Sequence, residues 1–189
     1  MKNKEKSLFE LLRSKDIIAI LDGDTDFGEY NFKDGRTIKI ALPYQSGPDL
    51  CGISTLFGYP MIYSWGGVNL SRWQYVDNLI DYCIKQDRCS DLLSYFFGKS
   101  NFSRVLNGLS PDEIKESYKM ITETVLKQIN GLLYFGGNEL CIIGSQFIMK
   151  PLNTNVEVVA PQIKTIDRER LYQKYVHPFN ARYRPRKFW

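Results

Sequence analysis

The longest patterned segment of the chain runs from Ser110 to Gly137, and it restricts the folds that the chain can adopt. Ser110 suits an N-cap, Pro111 suits the first helical position, and the Glu113 carboxylate can accept a hydrogen bond from the Ser110 amide. Apolar or aromatic residues then recur every three or four positions, which is typical of a helix with one buried face. These residues are Ile114, Tyr118, Ile121, Val125 and Ile129. The segment therefore predicts a helix that packs one stripe against a core.

Glycines and turn residues predict where this helix ends and where the strands lie. Gly131 suits the C′ position, so we expect a helix of about twenty residues with a small β unit directly after it. The pair Asp34 and Gly35 predicts a hairpin turn between two short N-terminal strands. Later turn residues predict a three-stranded antiparallel meander. Its strands are expected at residues 139–143, 146–150 and 156–159.

Serine caps predict further helices. Ser46, Ser71 and Ser90 each precede a run with helical spacing, and a short helical turn is expected from Ser103 to Leu109. Residues 7–21 predict an amphipathic helix that continues into a buried segment. The fold class that follows is α+β, a single domain in which several helices pack on small antiparallel β units, namely an N-terminal hairpin and a C-terminal meander.

Length and charge divide the chain into a body and a tail. A chain of 189 residues with 43% hydrophobic residues is long enough for one domain with a sizeable core. The net charge is +4, yet residues 171–189 hold five Lys or Arg and no acid, so the remainder is close to neutral. We therefore expect an α+β domain over residues 1–168 and a basic, aromatic tail over residues 169–189.

Cysteine usage and hydropathy indicate the compartment. The four cysteines form no C-x-x-C pair, and a body of this size does not need disulfides, so free thiols in a reducing compartment are expected. The first residues are charged, and no apolar run approaches the roughly 18 residues of a membrane span. The sequence predicts a cytoplasmic protein without a membrane partner.

Acidic residues at alternate positions raise the question of a metal site. Asp22, Asp24 and Asp26 match the start of an EF-hand loop, but that loop requires Gly at its sixth position and Glu at its twelfth. Phe27 and Lys33 occupy those positions. We therefore predict a solvated turn and no bound metal.

Candidate groups for nucleophilic catalysis do not form a set in the sequence. Cys51 lies near a predicted helix N-terminus, where a thiol can be reactive. The one histidine, His177, is 126 positions away and nothing marks it as a partner, so a packed core thiol is the preferred interpretation. Since the sequence carries no nucleophile–base pair, metal set or phosphate-binding loop, we expect no catalytic residues and no cofactor, and we favour a non-enzymatic role.

Three stretches of the sequence together resemble a known family. They are LPYQSGPDLC at residues 42–51, SRWQY at residues 71–75 and QINGLLYFGGNEL at residues 128–140. In this order they resemble the N-terminal region of AbiJ-like bacterial abortive-infection proteins, a class of phage-defence proteins, over roughly residues 8–168. The resemblance implies a regulatory or recognition module that binds an effector protein, an infection cue or a second copy of itself. It assigns no catalytic residue to this region.

In that family a C-terminal helical HEPN domain, often a ribonuclease, follows the matching region. Only 20 residues follow Glu169 here, so we expect the N-terminal module without that domain. Arg170 and His177 echo the Arg and His of a HEPN ribonuclease site, but Leu171 replaces the polar residue and Pro178 interrupts the helix. A HEPN-related ribonuclease is therefore the least favoured alternative.

The tail suggests a second function, because its cations alternate with aromatic residues. Cations neutralise phosphates and aromatic rings stack on unpaired bases, a composition that suits binding to RNA or other single-stranded nucleic acid. The same residues can instead pack on the body or on another protein, and the sequence leaves both open. The candidate binding residues are Lys174, His177, Arg182, Tyr183, Arg184, Arg186, Lys187 and Trp189.

Overall fold

Residues 7–63 and 70–152 are described by the structure, a computed structural model of the chain. They lie within one compact unit and form a single α+β domain, which confirms the predicted fold class. Helices supply most of its regular structure, and two separate antiparallel hairpins complete it. The tail at residues 169–189 and the boundary predicted at residue 168 lie outside the described residues.

The N-terminal segment forms two helical pieces rather than one continuous helix. A 3-10 helix spans Leu8–Arg13, and helix α1 spans Lys15–Leu21. Ser14 separates them because its backbone is extended and its hydroxyl accepts a hydrogen bond from the Ile17 amide at 3.3 Å, which makes it the N-cap of α1. The apolar side chains of α1 are largely buried, as the sequence predicts.

The predicted N-terminal hairpin is present. Strand β1 spans Glu29–Asn31 and strand β2 spans Thr37–Lys39, antiparallel, with Tyr30 opposite Ile38. Gly35 has a φ of +87° in the connecting turn, a conformation that favours glycine. Ile38 is the one residue of these two strands with a buried side chain, so the hairpin lies at the domain surface.

Three helices supply much of the core. Helix α2 spans Gly47–Leu56, helix α3 spans Arg72–Lys85 and helix α4 spans Cys89–Phe96. Ser46 and Ser71 form capping boxes at the first two, as their sequence positions predict. The buried apolar side chains of these helices join those of α1 in one hydrophobic cluster.

The connection from α4 to the last helix differs from the prediction. A second 3-10 helix spans Lys99–Ser103 and residues 104–108 form turns, so the helical turn lies before the expected range of Ser103 to Leu109. Phe102 explains this position, because its side chain is 1% exposed and its ring lies 5.2 Å from that of Tyr118. Burial of this aromatic residue anchors the 3-10 helix in the core.

Helix α5 spans Pro111–Tyr134 and is the longest described element. Its start is as predicted, with Ser110 as the N-cap in a capping box. The predicted end at Gly131 is wrong, and helix and turn replace the small β unit expected directly after it. Leu133 lies four residues after Ile129 and is 4% exposed, so it extends the buried stripe while Gly131 lies on the exposed face.

The predicted stripe on α5 is best buried in its middle. Ile121, Val125 and Ile129 are 0% exposed, whereas Ile114 near the helix start is 37% exposed. The helix packs on the strand that follows it and on α1. No described helix, α5 included, is both long and apolar enough to cross a membrane.

A second hairpin follows α5. Strand β3 spans Asn138–Ile143 and strand β4 spans Gln146–Pro151, antiparallel, with Leu140 opposite Met149 on the buried face. The sequence predicts both strands. The third strand of the expected meander, at residues 156–159, lies outside the described residues.

A polar side chain fastens this hairpin to α5. The Asn130 amide nitrogen donates to the Leu140 carbonyl at 2.9 Å, and the Asn130 carbonyl oxygen accepts from the Leu140 amide at 2.7 Å. These are the two hydrogen bonds that a neighbouring strand would make with Leu140. Asn130 therefore fixes the position of α5 along β3.

Candidate functional site

Three segments that are distant in sequence meet around one guanidinium group. They are the turn after α1, the loop before α2 and the first residue of α3. The residues that meet are Asp22, Asp24, Tyr44, Gln45 and Arg72, and we call them the Arg72 junction.

Arg72 contacts several groups at once. Its Nε donates to the Gln45 carbonyl at 2.8 Å and its Nη2 donates to the Asp22 carbonyl at 2.7 Å. Its Nη1 donates to the Asp24 carboxylate, and its guanidinium carbon lies 3.9 Å from the centroid of the Tyr44 ring. A planar guanidinium has five donors for several acceptors and a flat face that stacks on a ring, and an ammonium group has no such face. Arg72 thereby fixes the loop before α2 against the turn after α1.

Asp22 is the buried charge of the junction. Its side chain is 1% exposed, and its Oδ1 accepts from the Asp24 amide at 3.0 Å and lies 3.4 Å from Nη2 of Arg72. Burial raises the pKa of Asp22 from its usual 3.8 to about 6, although the Asp24 amide and Arg72 oppose the shift. The protonation of Asp22 therefore changes close to neutral pH.

Each aspartate of the acidic turn, where the sequence raised the possibility of a metal site, has a cationic partner in the structure. Asp22 and Asp24 interact with Arg72, and the Asp26 carboxylate accepts from the Lys39 ammonium at 3.5 Å. In the described part of the chain no group of three or more His, Cys, Asp or Glu residues is placed to hold a metal ion. The prediction of a solvated turn needs correction at Asp22, because that carboxylate is buried.

A groove opens beside the junction, and we call it the motif groove because residues 43–49 form much of its wall. Its volume is about 680 Å³. Helix α2 forms one side, and the second 3-10 helix with residues 104–105 forms another. This volume lies in the range of small-molecule sites. The motif groove is therefore the candidate binding site of the described residues.

The motif groove has an apolar floor and a polar rim. Ile53, which is 3% exposed, and the half-buried Val105 supply apolar surface. Gln45 and Asn101 supply side-chain amides, with Nε2 of Gln45 donating to Oδ1 of Asn101 at 3.1 Å. Arg104 supplies an exposed cation. The lining suits a ligand with both apolar and polar parts.

The acidic residue on the rim of the groove, Asp49, caps helix α2 and is not placed for catalysis. Asp49 belongs to the capping box of α2, and its Oδ2 accepts from the Ser46 amide at 3.1 Å. The Ser46 hydroxyl and amide lower the pKa of Asp49, and the charge of Arg104 adds to this. A carboxylate held ionised by its hydrogen bonds is a poor general acid or base at neutral pH.

Three buried cysteines have thiols whose pKa is raised by burial. Burial raises the pKa of Cys51, the pKa of Cys83 to about 11 and the pKa of Cys89 to about 12. A thiol with a raised pKa is protonated at neutral pH and is a weak nucleophile. The structure places Cys51 in the core, in agreement with the sequence interpretation.

The residues predicted to bind nucleic acid or a partner lie outside the described part of the chain, and so does the Arg170 and His177 pair of the ribonuclease alternative. The prediction of a binding segment in the tail therefore stays a prediction. It concerns Lys174, His177, Arg182, Tyr183, Arg184, Arg186, Lys187 and Trp189.

Reasoning from the sequence missed the residues that the structure brings together. Tyr44, Gln45 and Arg72 lie in the stretches that carry the family resemblance, but no spacing rule marks them as a site. The one local signal is an aromatic and an amide residue between Pro43 and Pro48, since prolines restrict a loop and ordered loops often carry binding residues.

Comparisons with known proteins yield no relative. No protein-family model, no curated protein and no solved structure matches this chain significantly.

Proposed function

We propose that this chain is a non-enzymatic recognition module of a bacterial abortive-infection system, and that it binds its cue or partner in the motif groove. The observation that carries the proposal is the meeting of two stretches of the family resemblance. Arg72, from residues 71–75, contacts Tyr44 and Gln45, from residues 42–51, and these two residues line the groove. The resembling residues thus converge on the motif groove.

The chemistry of the described residues supports recognition over catalysis. Asp49 caps a helix, Asp22 is buried against Arg72, and burial raises the pKa of three thiols. These groups stabilise the fold and are not arranged as a nucleophile with its base. We further propose a cytoplasmic location, because the free cysteines suit a reducing compartment and phage replicate there.

Two glycines allow a matched test of the groove. Gly52 lines the groove in α2, and a Cβ built on it meets no atom within 4 Å. Gly131 lies on the exposed face of α5 and has the same free space. We therefore expect Gly52→Trp to place an indole in the groove, since its Cβ meets no atom, and Gly131→Trp to add the same side chain elsewhere.

The experiment is a plaque assay on bacteria that express the chain together with its native neighbouring genes. We expect the wild type and Gly131→Trp to lower the number of plaques for at least one phage, and Gly52→Trp to lose this protection while remaining folded. Equal plaque numbers with and without the chain, across a broad phage panel, would refute the defence role. Protection by Gly52→Trp at the wild-type level would refute the role of the groove.

The composition of the tail supports a second candidate, binding of single-stranded nucleic acid. Five cations without an acid across residues 171–189 would contact phosphates. For each contacted phosphate, the logarithm of the binding constant should then fall by about 0.7 for every tenfold rise in salt concentration. Deletion of residues 178–189 should then remove binding and leave the body folded. Binding that does not respond to salt, or a truncated chain that melts much earlier, would contradict this candidate.

A further inference from the structure

An aromatic ring in the motif groove is fixed but not covered. Tyr44 is 60% exposed, a large fraction for an aromatic side chain, and it lines the groove. The guanidinium of Arg72 lies 3.9 Å from its ring centroid and is itself held by the carbonyls of Gln45 and Asp22. Arg72 does not line the groove, so Tyr44 remains accessible from the groove side. A ring held in this way can stack on a planar ligand with little loss of entropy.

A buried amide in the wall of the groove offers an acceptor. Gln45 is 5% exposed, and its Nε2 donates to the Pro43 carbonyl and to Oδ1 of Asn101, each at 3.1 Å. Because a carbonyl only accepts, these bonds fix the orientation of the amide. They leave Oε1 without a donor from any described residue. Gln45 lines the groove, so Oε1 is the acceptor that this residue can offer to a ligand there.

A cation on the rim of the groove is available to an anion. Arg104 is exposed and lines the groove, and it has no ion pair within 4 Å in the described residues. Asp49, whose pKa is lowered in part by the charge of Arg104, already accepts hydrogen bonds from the amide and the hydroxyl of Ser46. Guanidinium groups bind phosphate by paired N–H donors.

We propose that the motif groove binds a nucleotide whose base carries an amino group. The base stacks on Tyr44, its amino group donates to Oε1 of Gln45, and its phosphate contacts Arg104. A groove of about 680 Å³ is large enough for one such ligand. The proposal rests on the proposed function, since it names the chemistry of the cue. A free nucleotide and one unit of a single-stranded nucleic acid share this chemistry.

The first test is calorimetric titration of the full chain with AMP, adenosine and inorganic phosphate. We expect one AMP per chain, about tenfold weaker binding of adenosine and no measurable binding of phosphate alone. Phosphate that binds as well as AMP would overturn the proposal. So would the absence of binding by AMP, CMP and GMP at millimolar concentration.

Single substitutions test which residue contacts the base and which contacts the phosphate of the ligand. Tyr44→Ala should weaken AMP about tenfold or more, and Tyr44→Phe should restore it. Arg104→Gln should weaken AMP about tenfold but leave adenosine unchanged, while Lys127→Gln, which removes an exposed lysine of α5, should change neither. Gly52→Trp should abolish binding and Gly131→Trp should not. AMP binding that survives Gly52→Trp would overturn the proposal.

The eight-nucleotide RNA A8 distinguishes the two sources of the ligand. Affinity for A8 equal to that for AMP assigns the groove to a free nucleotide, and affinity at least a hundredfold tighter assigns it to a strand. If Gly52→Trp abolishes phage protection but no nucleotide binds, the nucleotide proposal fails and the defence role stands. If AMP binds as expected but no phage is affected, the defence role fails and the nucleotide site stands.

Discussion

The Arg72 junction and the buried stripe of α5 both join parts of the chain that are distant in sequence, but by opposite means. The stripe, Ile121, Val125, Ile129 and Leu133, is at most 4% exposed and acts through the hydrophobic effect, which has no preferred direction. The junction acts through hydrogen bonds and ring stacking on a single guanidinium, which require defined angles and distances.

This difference indicates what each region contributes. Burial of apolar side chains stabilises the domain but allows small shifts of one element against another. The junction fixes Tyr44 and Gln45 at the wall of the motif groove, and it depends on a carboxyl group that titrates near neutral pH. We therefore expect the stripe to respond to changes in polarity and the junction to respond to changes in backbone shape and pH.

The largest effect is expected for Ile121→Asp in the stripe. This side chain is 0% exposed, so the variant places an unpaired charge in the core at a cost of about 5 kcal/mol. Urea unfolding followed by circular dichroism measures the loss, with Lys127→Asp on the exposed face of α5 as the control. An unfolding midpoint equal to that of the wild type would show that α5 does not pack as described.

A somewhat smaller effect is expected for Gly23→Ala at the junction. Gly23 has a φ of +79°, and a Cβ there would lie 2.6 Å from the Tyr44 Cα and 2.8 Å from the Leu42 carbonyl oxygen. We expect a loss of about 3 to 4 kcal/mol. Gly137→Ala is the matched control, since its φ is +69° but its Cβ would meet nothing within 4 Å, and it should cost about 1 kcal/mol. Equal losses in the two variants would mean that the close approach at Gly23 is absent.

An effect of intermediate size is expected in the pH dependence of stability, and it distinguishes the junction from the stripe most directly. Because the pKa of Asp22 is raised from 3.8 to about 6 in the folded protein, the folded state binds its proton more tightly than the unfolded chain does. Its contribution to stability is therefore greatest below pH 3.8 and is lost as the pH rises through 6. We expect the change between pH 4 and pH 7 to be about 2 to 3 kcal/mol.

The variant Asp22→Asn isolates this contribution, because other carboxylates titrate in the same range. Asp34, Asp49 and Glu113 have lowered pKa values and act in the opposite direction, since their contributions are lost as the pH falls. Subtracting the pH profile of the variant from that of the wild type should leave a decline in stability from pH 4 to pH 7. A flat difference would mean that Asp22 is not buried against Arg72.

The smallest effect is expected for Ser110→Ala at the exposed start of α5. The Ser110 hydroxyl accepts from the Glu113 amide, and losing this cap should cost about 1 kcal/mol without changing the groove. Thermal unfolding measures the loss, and Ser145→Ala in an exposed turn is the control. A loss as large as that of Ile121→Asp would show that capping, rather than the stripe, holds α5 in place.

Three residues of the stripe, Ile121, Val125 and Ile129, could be predicted from the sequence and the junction could not, for a physical reason. Helical spacing is a local rule, so the buried face of α5 is visible in a window of about fifteen residues. The contacts of Arg72 with Asp22 and Tyr44 depend on the path of the whole chain between them. The sequence shows two acids and an arginine, but not that one carboxylate would be buried beside that arginine.

The end of α5 shows two local rules in conflict. Gly131 favours termination, while Leu133 continues the apolar stripe and favours one more turn. Burial of Leu133 is worth more than the modest cost of an exposed glycine inside a helix. The spacing rule that predicted the buried stripe would therefore have predicted the end of the helix if it had been given priority over the glycine.

The two hydrogen bonds between Asn130 and Leu140 also bear on how copies of this protein behave towards one another. An open strand edge presents unpaired amides and carbonyls, and such edges recruit strands from other molecules and start aggregation. Asn130 occupies the outward-facing amide and carbonyl at the middle of β3. A strand from another molecule would have to displace it to pair there, so a side chain of α5 protects that edge of a two-stranded sheet from intermolecular pairing.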